Sequence, residues 1–201
     1  NNIKKSIKKE DKTKIKRQDL ILSLLKNIPK KTKIISSVGF NSRELFQLRK
    51  TYNFKNGKDF LMVGAMGHTS MVALSISQNT KDLTICLDGD GSFIMHLGAL
   101  TLLGSQKRKN FKYILVDNES HESIGHQPIH LKNINYKKIS EGLGFNNFYY
   151  TNNIKNLNTS IKKFLKSSGP SFLHVKIKIG TLKNLVRPKK FNEIKNKFMK
   201  N

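Results

Sequence analysis

The residues best suited to chemistry stand at the ends of short apolar runs. Residues 83–87 lead into Asp88-Gly89-Asp90-Gly91-Ser92. A strand there delivers a carboxylate into a turn with a glycine on either side, and glycine lets a backbone approach a ligand closely. A helix starting at Ser92 aims its unpaired N–H groups and positive dipole end at the same place. A bare phosphate would be attracted by the helix and repelled by the carboxylate. A divalent cation between them removes the conflict. Mg2+ suits the role, because it takes one or two carboxylate or amide oxygens together with phosphate oxygens and waters. The next apolar run, residues 111–116, ends in Asp117-Asn118. The Asn118 amide oxygen offers a second hard ligand, and the main-chain carbonyl of Ser120 is placed to supply a third. Asp90, Asn118 and Ser120 are therefore the candidate metal ligands. A lone Gly-Asp-Gly is often only a turn; strand, Gly-Asp-Gly-Ser, helix, strand, Asp-Asn is a stronger signal.

Two more strand-end turns add candidates. In Val38-Gly39-Phe40-Asn41-Ser42, either Asn41 or Ser42 can cap a helix or contact a diphosphate, and the two roles are compatible. Gly64-Ala65-Met66-Gly67 is a glycine-punctuated turn, for which a plain strand-to-helix connection with a buried methionine is the simpler alternative. His68 and His121 lie at or just beyond strand ends, where a substrate would sit. Both are candidates for proton transfer or anion contact, the alternative being a bond to a loop carbonyl. His96 is expected to pack, Glu122 to orient a neighbour or be solvated, and Cys86, inside a strand, to belong to the core.

The elements that must position these residues alternate along the chain. Helices are expected at about residues 17–28, where Leu20, Ile21, Leu24 and Leu25 share a face and Pro29 ends the run, then through Leu45, Phe46 and Leu48, and at 69–77, 92–104, 136–143 and 154–167. Strands are expected at 33–38, 60–63, 83–87, 111–116 and, after the Gly169-Pro170 turn, 172–177. The strands are continuous apolar runs rather than alternating patterns. That predicts an α/β fold: a three-layer parallel sheet with helices on both faces, binding ligands beyond the carboxyl ends of its strands. Residues 1–16 read as a charged linker or arm, 17–180 as the domain and 181–201 as a basic tail.

The whole chain, 201 residues and 37% hydrophobic, suits one such domain rather than two. No run approaches the roughly 20 apolar residues of a membrane span, and the lysine-rich start has no apolar leader segment. A single cysteine excludes an intramolecular disulfide, so a reducing, cytoplasmic setting is expected. The net charge of +25 comes from lysine spread over every segment and is densest at the two ends. Solvated faces and tails account for it more simply than a specific nucleic-acid site.

Gly89-Asp90-Gly91, with Asn118 closing the span, resembles the thiamine diphosphate signature. Within that superfamily, residues 39–49 are similar to the Ser-Arg-Glu-Leu-Phe segment of the phosphonopyruvate decarboxylases, residues 59–68 resemble their next block, and residues 117–128 resemble their Asn-Asn-Gly-Ala-His-Glu-Ser loop. Asp117 stands where that family has Asn, and Glu119 and His126 where it has Gly. The resemblance covers about residues 17–180 and implies the diphosphate-binding domain of a thiamine diphosphate enzyme. It implies that Asp90, Asn118 and the Ser120 carbonyl hold Mg2+, and that Gly89, Gly91 and Ser92 line the diphosphate. It implies that Met66 wedges under the bent cofactor and that the Gly64 carbonyl accepts from its aminopyrimidine.

The implied reaction is decarboxylation of 3-phosphonopyruvate to phosphonoacetaldehyde in phosphonate biosynthesis, with His68 and His121 near the substrate. The resemblance also implies a pyrimidine-binding domain or α subunit, joined to this chain in a homo- or hetero-oligomer. Two alternatives are the β subunit of sulfopyruvate decarboxylase or of another 2-keto acid decarboxylase, and a noncatalytic basic module that binds nucleic acid.

Overall fold

The computed structural model describes residues 13–131 and 133–200. Its elements run α1 (Arg17–Asn27), β1 (Lys33–Ser36), α2 (Phe40–Thr51), β2 (Lys58–Leu61), α3 (Thr69–Gln78), β3 (Thr84–Gly89), α4 (Asp90–Met95), α5 (Leu100–Ser105), β4 (Phe111–Asp117), β5 (Ser120–His121), β6 (Gln127–Pro128), α6 (Tyr136–Gly142), β7 (Asn147–Thr151), α7 (Ile154–Lys166), β8 (Ser171–Lys176) and α8 (Phe191–Met199). Six strands form one parallel sheet in the order β2-β1-β3-β4-β8-β7, and β5 and β6 pair antiparallel beyond the end of β4.

This is the expected three-layer arrangement. Ile34, Ile85, Leu87, Ile114, Val116, Leu173 and Val175 pack with α1, α2 and α7. Their neighbours Ile35, Cys86, Tyr113, Leu115 and Phe172 pack with α3, α4, α5 and α6. Successive strand residues point to opposite faces, so a strand covered on both sides needs apolar residues at every position. On α7, Leu157, Ile161 and Phe164 form the buried stripe. The chain crosses from β1 leftward to β2 and rightward to β3. The crevice beyond β1 and β3 is therefore the topological switch point, where such sheets bind ligands.

Four features depart from the sequence expectation. The helix expected over 92–104 begins at Asp90 and breaks at His96 (φ −133, ψ 42), resuming after a 3-10 turn. The break follows from close packing: a Cβ on Gly67 would lie 2.8 Å from His96 Nδ1 and 3.0 Å from Met95 Cβ, so the Met66 turn leans on this point. Residues 147–151 form an edge strand, β7, that polar neighbours conceal. The expected arm at 1–16 lies outside the described residues as far as residue 12, but its end joins the sheet: Ile15 is fully buried and bridges to Ile177 in parallel. The basic tail is ordered too. Arg43 donates to the carbonyls of Leu185 and Val186, Val186 N donates to Gln47, and Phe198 of α8 packs edge-on against Phe60 at 5.4 Å.

Beside this core lies a buried cation, Lys112, with no carboxylate in its hydrogen-bonding shell among the described residues. Lys112 Nζ donates to the Ser167 carbonyl at 2.5 Å, to its hydroxyl at 2.8 Å and to the Ser171 hydroxyl at 3.2 Å. Burial pushes its pKa down to about 8. Below pH 8 the folded chain carries this desolvated charge at a cost. Between pH 8 and the unfolded value of 10.5 the folded lysine has lost its proton and the unfolded one has not, so its contribution to stability rises with pH. Lys112→Met is therefore expected to be at its most favourable relative to wild type at pH 7. The difference should shift toward wild type by on the order of 2–3 kcal/mol as pH approaches 10. Chemical denaturation of both proteins at pH 7 and pH 10 measures it; a constant difference would contradict the assignment.

Candidate functional site

The turns after β1, β2, β3 and β4 meet at one crevice of about 120 Å³, lined among others by Asn41, Met66, Asp90, Gly91, Asn118 and His121. Asp90 is 5% exposed. Its Oδ2 accepts the main-chain N–H groups of Asn118 at 3.0 Å and Glu119 at 2.7 Å, and its Oδ1 accepts that of Gly91 at 2.8 Å. These bonds clamp the end of β4 against the start of α4. Burial, with the charge of Asp117 added, pushes the Asp90 pKa up to about 7. Among the described residues no lysine, arginine or histidine pairs with it, although the chain holds 38 Lys and Arg against 13 Asp and Glu. A buried carboxylate with no cation beside it among the described residues suits a metal ligand.

Asn118 and Ser120, the other two residues expected in a metal set, line the same crevice. The Asn118 oxygen accepts Ser120 N at 3.1 Å and keeps a second lone pair. The Ser120 hydroxyl is buried in the crevice wall with no hydrogen-bond partner among the described residues, so the wall holds polar capacity that they do not satisfy. One carboxylate, one amide oxygen and one carbonyl suit a hard octahedral cation that keeps other positions for phosphate and water. The described residues hold no group of three or more His, Cys, Asp or Glu that would make a competing metal centre.

Asp117 takes no part in this set. Its carboxylate lies 2.8 Å from His174 Nε2 and 3.2 Å from Lys176 Nζ. Burial raises its pKa, but the His174 hydrogen bond and the Lys176 charge outweigh that and hold the carboxyl below its ordinary value. His174 and Lys176, both on β8, thus accommodate an acid where the resembling family has Asn. The pairing was invisible in sequence because it joins strands 57 residues apart. Glu119 and His126 have φ of +56 and +62. That left-handed backbone accounts for the family's glycine at both positions. Glu119 is held there by Lys176 at 2.7 Å.

The other expected residues divide into two groups. Met66 and His121 both press on Gly91: a Cβ built there would fall 2.9 Å from Met66 Cε and 2.6 Å from His121 Cε1. Gly89, Gly91 and Ser92 line the crevice, and Ser92 Oγ also accepts Gly67 N at 3.0 Å, tying the Met66 turn to α4. Asn41 lines it as well. Ser42, Gly64 and His68 do not. The Ser42 hydroxyl is committed to the Ser36 and Ser37 carbonyls, which fastens the start of α2 to the end of β1. Gly64 is exposed in a left-handed turn (φ +66), and His68 is an exposed residue whose Nδ1 lies 3.3 Å from the Met66 carbonyl and whose ring meets His96 at 4.3 Å. Arg17, Ser37 and Glu122 line the crevice without having been singled out as ligand-binding residues.

A second cavity, about 370 Å³, lies at the β2 edge against α8, and its one carboxylate, Asp59, is paired with Arg49. It holds none of the strand-end motifs.

Comparison with known proteins gives a consistent result. The sequence model of the family described as "Thiamine pyrophosphate enzyme, C-terminal TPP binding domain" matches residues 37–175. The chain is 35% identical over 130 residues to the sulfopyruvate decarboxylase subunit beta of Methanocaldococcus jannaschii, covering 64% of this chain and 66% of that one. It is 30% identical over 166 residues to the phosphonopyruvate decarboxylase of Streptomyces viridochromogenes, covering 83% of this chain and 41% of that one. A sulfopyruvate decarboxylase subunit beta from Methanothermobacter thermautotrophicus matches at 31% identity over 73% of this chain and 74% of its own length. A solved Mycobacterium smegmatis chain, described as a candidate thiamin diphosphate-dependent enzyme, superposes with a TM-score of 0.68 over 83% of this chain and 32% of that chain. At 16% identity it bears on the fold alone.

Proposed function

Because this chain belongs to the thiamine pyrophosphate enzyme family through its C-terminal TPP binding domain, we propose that it supplies the diphosphate and Mg2+ half of a 2-keto acid decarboxylase. The observation that carries the reading is Asp90: buried, unpaired with any cation among the described residues, and converging with Asn118 and Ser120 at the switch point of the sheet. Asp90, the Asn118 amide oxygen and the Ser120 carbonyl hold the cation. Gly89, Gly91 and Ser92, with Asn41, line the diphosphate. Ser42 holds the β1 turn from behind. Met66 would support the cofactor from the crevice wall, and the main-chain carbonyl of the exposed Gly64 would accept from its aminopyrimidine. When bound, thiamine diphosphate supplies the electron sink that decarboxylation of a 2-keto acid needs.

The protein's own residues bind, orient and exclude water. His121, against Gly91 in the crevice, donates to the anionic substrate, and His68 stands at the outer rim beside Met66. Val63, Met95 and Ile124 are 63%, 54% and 68% exposed near the site's turns, which supports a partner domain or subunit closing over the crevice. A pyrimidine-binding partner fits, since a single half leaves the site open.

The substrate we assign is phosphonopyruvate. The match to a phosphonopyruvate decarboxylase extends over 83% of the chain. It also spans Arg43 and Glu44, which strap residues 182–186 across α2. Sulfopyruvate is the second reading, favoured by the 35% identity to a β subunit. A coupled aldehyde assay decides between them, using this chain with a pyrimidine-binding partner, thiamine diphosphate and Mg2+. The expected result is a specificity constant (kcat/KM) at least about tenfold higher for phosphonopyruvate, equivalent to ~1.4 kcal/mol in the transition state. Preference for sulfopyruvate would reassign the substrate, and no turnover of any 2-keto acid would overturn the proposed activity.

A further inference from the structure

In the wall of the crevice lies a buried ion pair that the cofactor roles leave unused. Arg17 of α1 and Glu122 of the turn after β5 form an ion pair at 2.6 Å, with side chains 5% and 4% exposed. Glu122 Oε2 accepts both Arg17 Nη2 and, at 2.7 Å, the Asn118 Nδ2 group; its Oε1 accepts Gly180 N at 2.5 Å. Arg17 Nε donates to Asn41 Oδ1 at 3.1 Å, while Nη1 reaches Glu44 at 3.4 Å and the Gly180 carbonyl at 3.2 Å.

The chemistry of the two groups fixes two amides in opposite senses. A carboxylate only accepts, so Glu122 must face the nitrogen of Asn118, which leaves the Asn118 oxygen on the side of Ser120. A guanidinium only donates, so Arg17 must face the oxygen of Asn41, which leaves its nitrogen toward Ser37, at 3.1 Å, and Gly89. One amide thus offers an acceptor and the other a donor to the same crevice, one suited to a cation and the other to an anion. We propose that the buried Arg17–Glu122 pair is a positioning device that sets the polarity of Asn118 toward the metal and of Asn41 toward the diphosphate.

This inference rests on the cofactor reading above and adds to it Arg17 and Glu122, 105 positions apart. A buried pair is weak evidence for stability, because desolvation offsets its attraction. Partners behind a metal ligand commonly tune metal affinity about 10- to 100-fold.

The test uses the full chain assembled with its pyrimidine-binding partner. Thiamine diphosphate binding is followed by calorimetry across a series of Mg2+ concentrations, with melting temperature measured in parallel. Glu122→Leu removes the acceptor that holds Asn118 and is expected to raise the Mg2+ concentration for half-maximal binding about 10- to 100-fold. At saturating Mg2+ the cofactor affinity should return close to wild type. Glu122→Gln keeps a carbonyl oxygen facing both donors and loses the Gly180 bond. It should lower the melting temperature yet keep the wild-type Mg2+ requirement. An unchanged requirement in Glu122→Leu, or equal shifts in both variants, would overturn the proposal. Wild-type binding that does not depend on Mg2+ would instead overturn the cofactor reading, and this inference with it.

Discussion

Gly91→Ala is expected to lower thiamine diphosphate affinity and turnover by about a hundredfold, an effect typical of a displacement near 1 Å at a reacting centre. The cause is space. Gly91 is the second residue of α4, and its φ lies outside the left-handed region, so alanine suits the backbone and even favours the helix by ~1 kcal/mol. Its Cβ, however, would stand 2.6 Å from His121 Cε1, 2.7 Å from its Nδ1 and 2.9 Å from Met66 Cε. The methionine can swing its terminal methyl aside. The imidazole is anchored in β5, which pairs with β6, so its displacement pulls on the loop that carries Ser120. Binding should therefore fall while the melting temperature changes little. Calorimetry and thermal denaturation on the same sample separate the two; wild-type affinity in a folded Gly91→Ala protein would show that His121 and Met66 do not set the shape of the crevice.

Much of this site is local in sequence, and that part is legible there. Asp90 and Asn118 each end an apolar run, and parallel strands place successive run-ends side by side, so the crevice follows from strand order and the Gly-Asp-Gly turn. The layered fold follows in the same way from the apolar centres of β3, β4 and β8, Ile85-Cys86-Leu87, Tyr113-Ile114-Leu115-Val116 and Phe172-Leu173, which are buried on both faces. What joins distant segments is not legible. Glu122 offers two roles in sequence, and only the approach of Arg17 from 105 residues away selects the one that orients Asn118. Asp117 alone looks like a departure from a motif, whereas His174 and Lys176 show how its charge is held. Ser42 could cap or bind, and its distance to the Ser37 carbonyl, 2.7 Å, places it as a fastening of the turn. The C-terminal helix is disguised by its charge: Phe191, Ile194 and Phe198 recur at helical spacing, but the lysines between them give the look of a solvated tail.

Asp90 is expected to hold a divalent cation that in turn grips the diphosphate. Asp90→Ala removes a carboxylate that burial pushes up to about 7, together with three accepted main-chain bonds. The two losses act in opposite directions on stability. The apolar core lies outside the site, so the fold should persist. Cofactor affinity should not persist: a metal held by one carboxylate, one amide and one carbonyl has no substitute for the charged ligand, and a loss of at least about a hundredfold is expected. The direct measurement is a calorimetric titration of thiamine diphosphate into wild type and Asp90→Ala, each assembled with a pyrimidine-binding partner, first in Mg2+ and then in excess EDTA. The prediction is tight binding only for wild type in Mg2+, with the variant equally weak in both conditions. Equal wild-type affinity with and without the metal, or Mg2+-dependent binding that survives in Asp90→Ala, would contradict it.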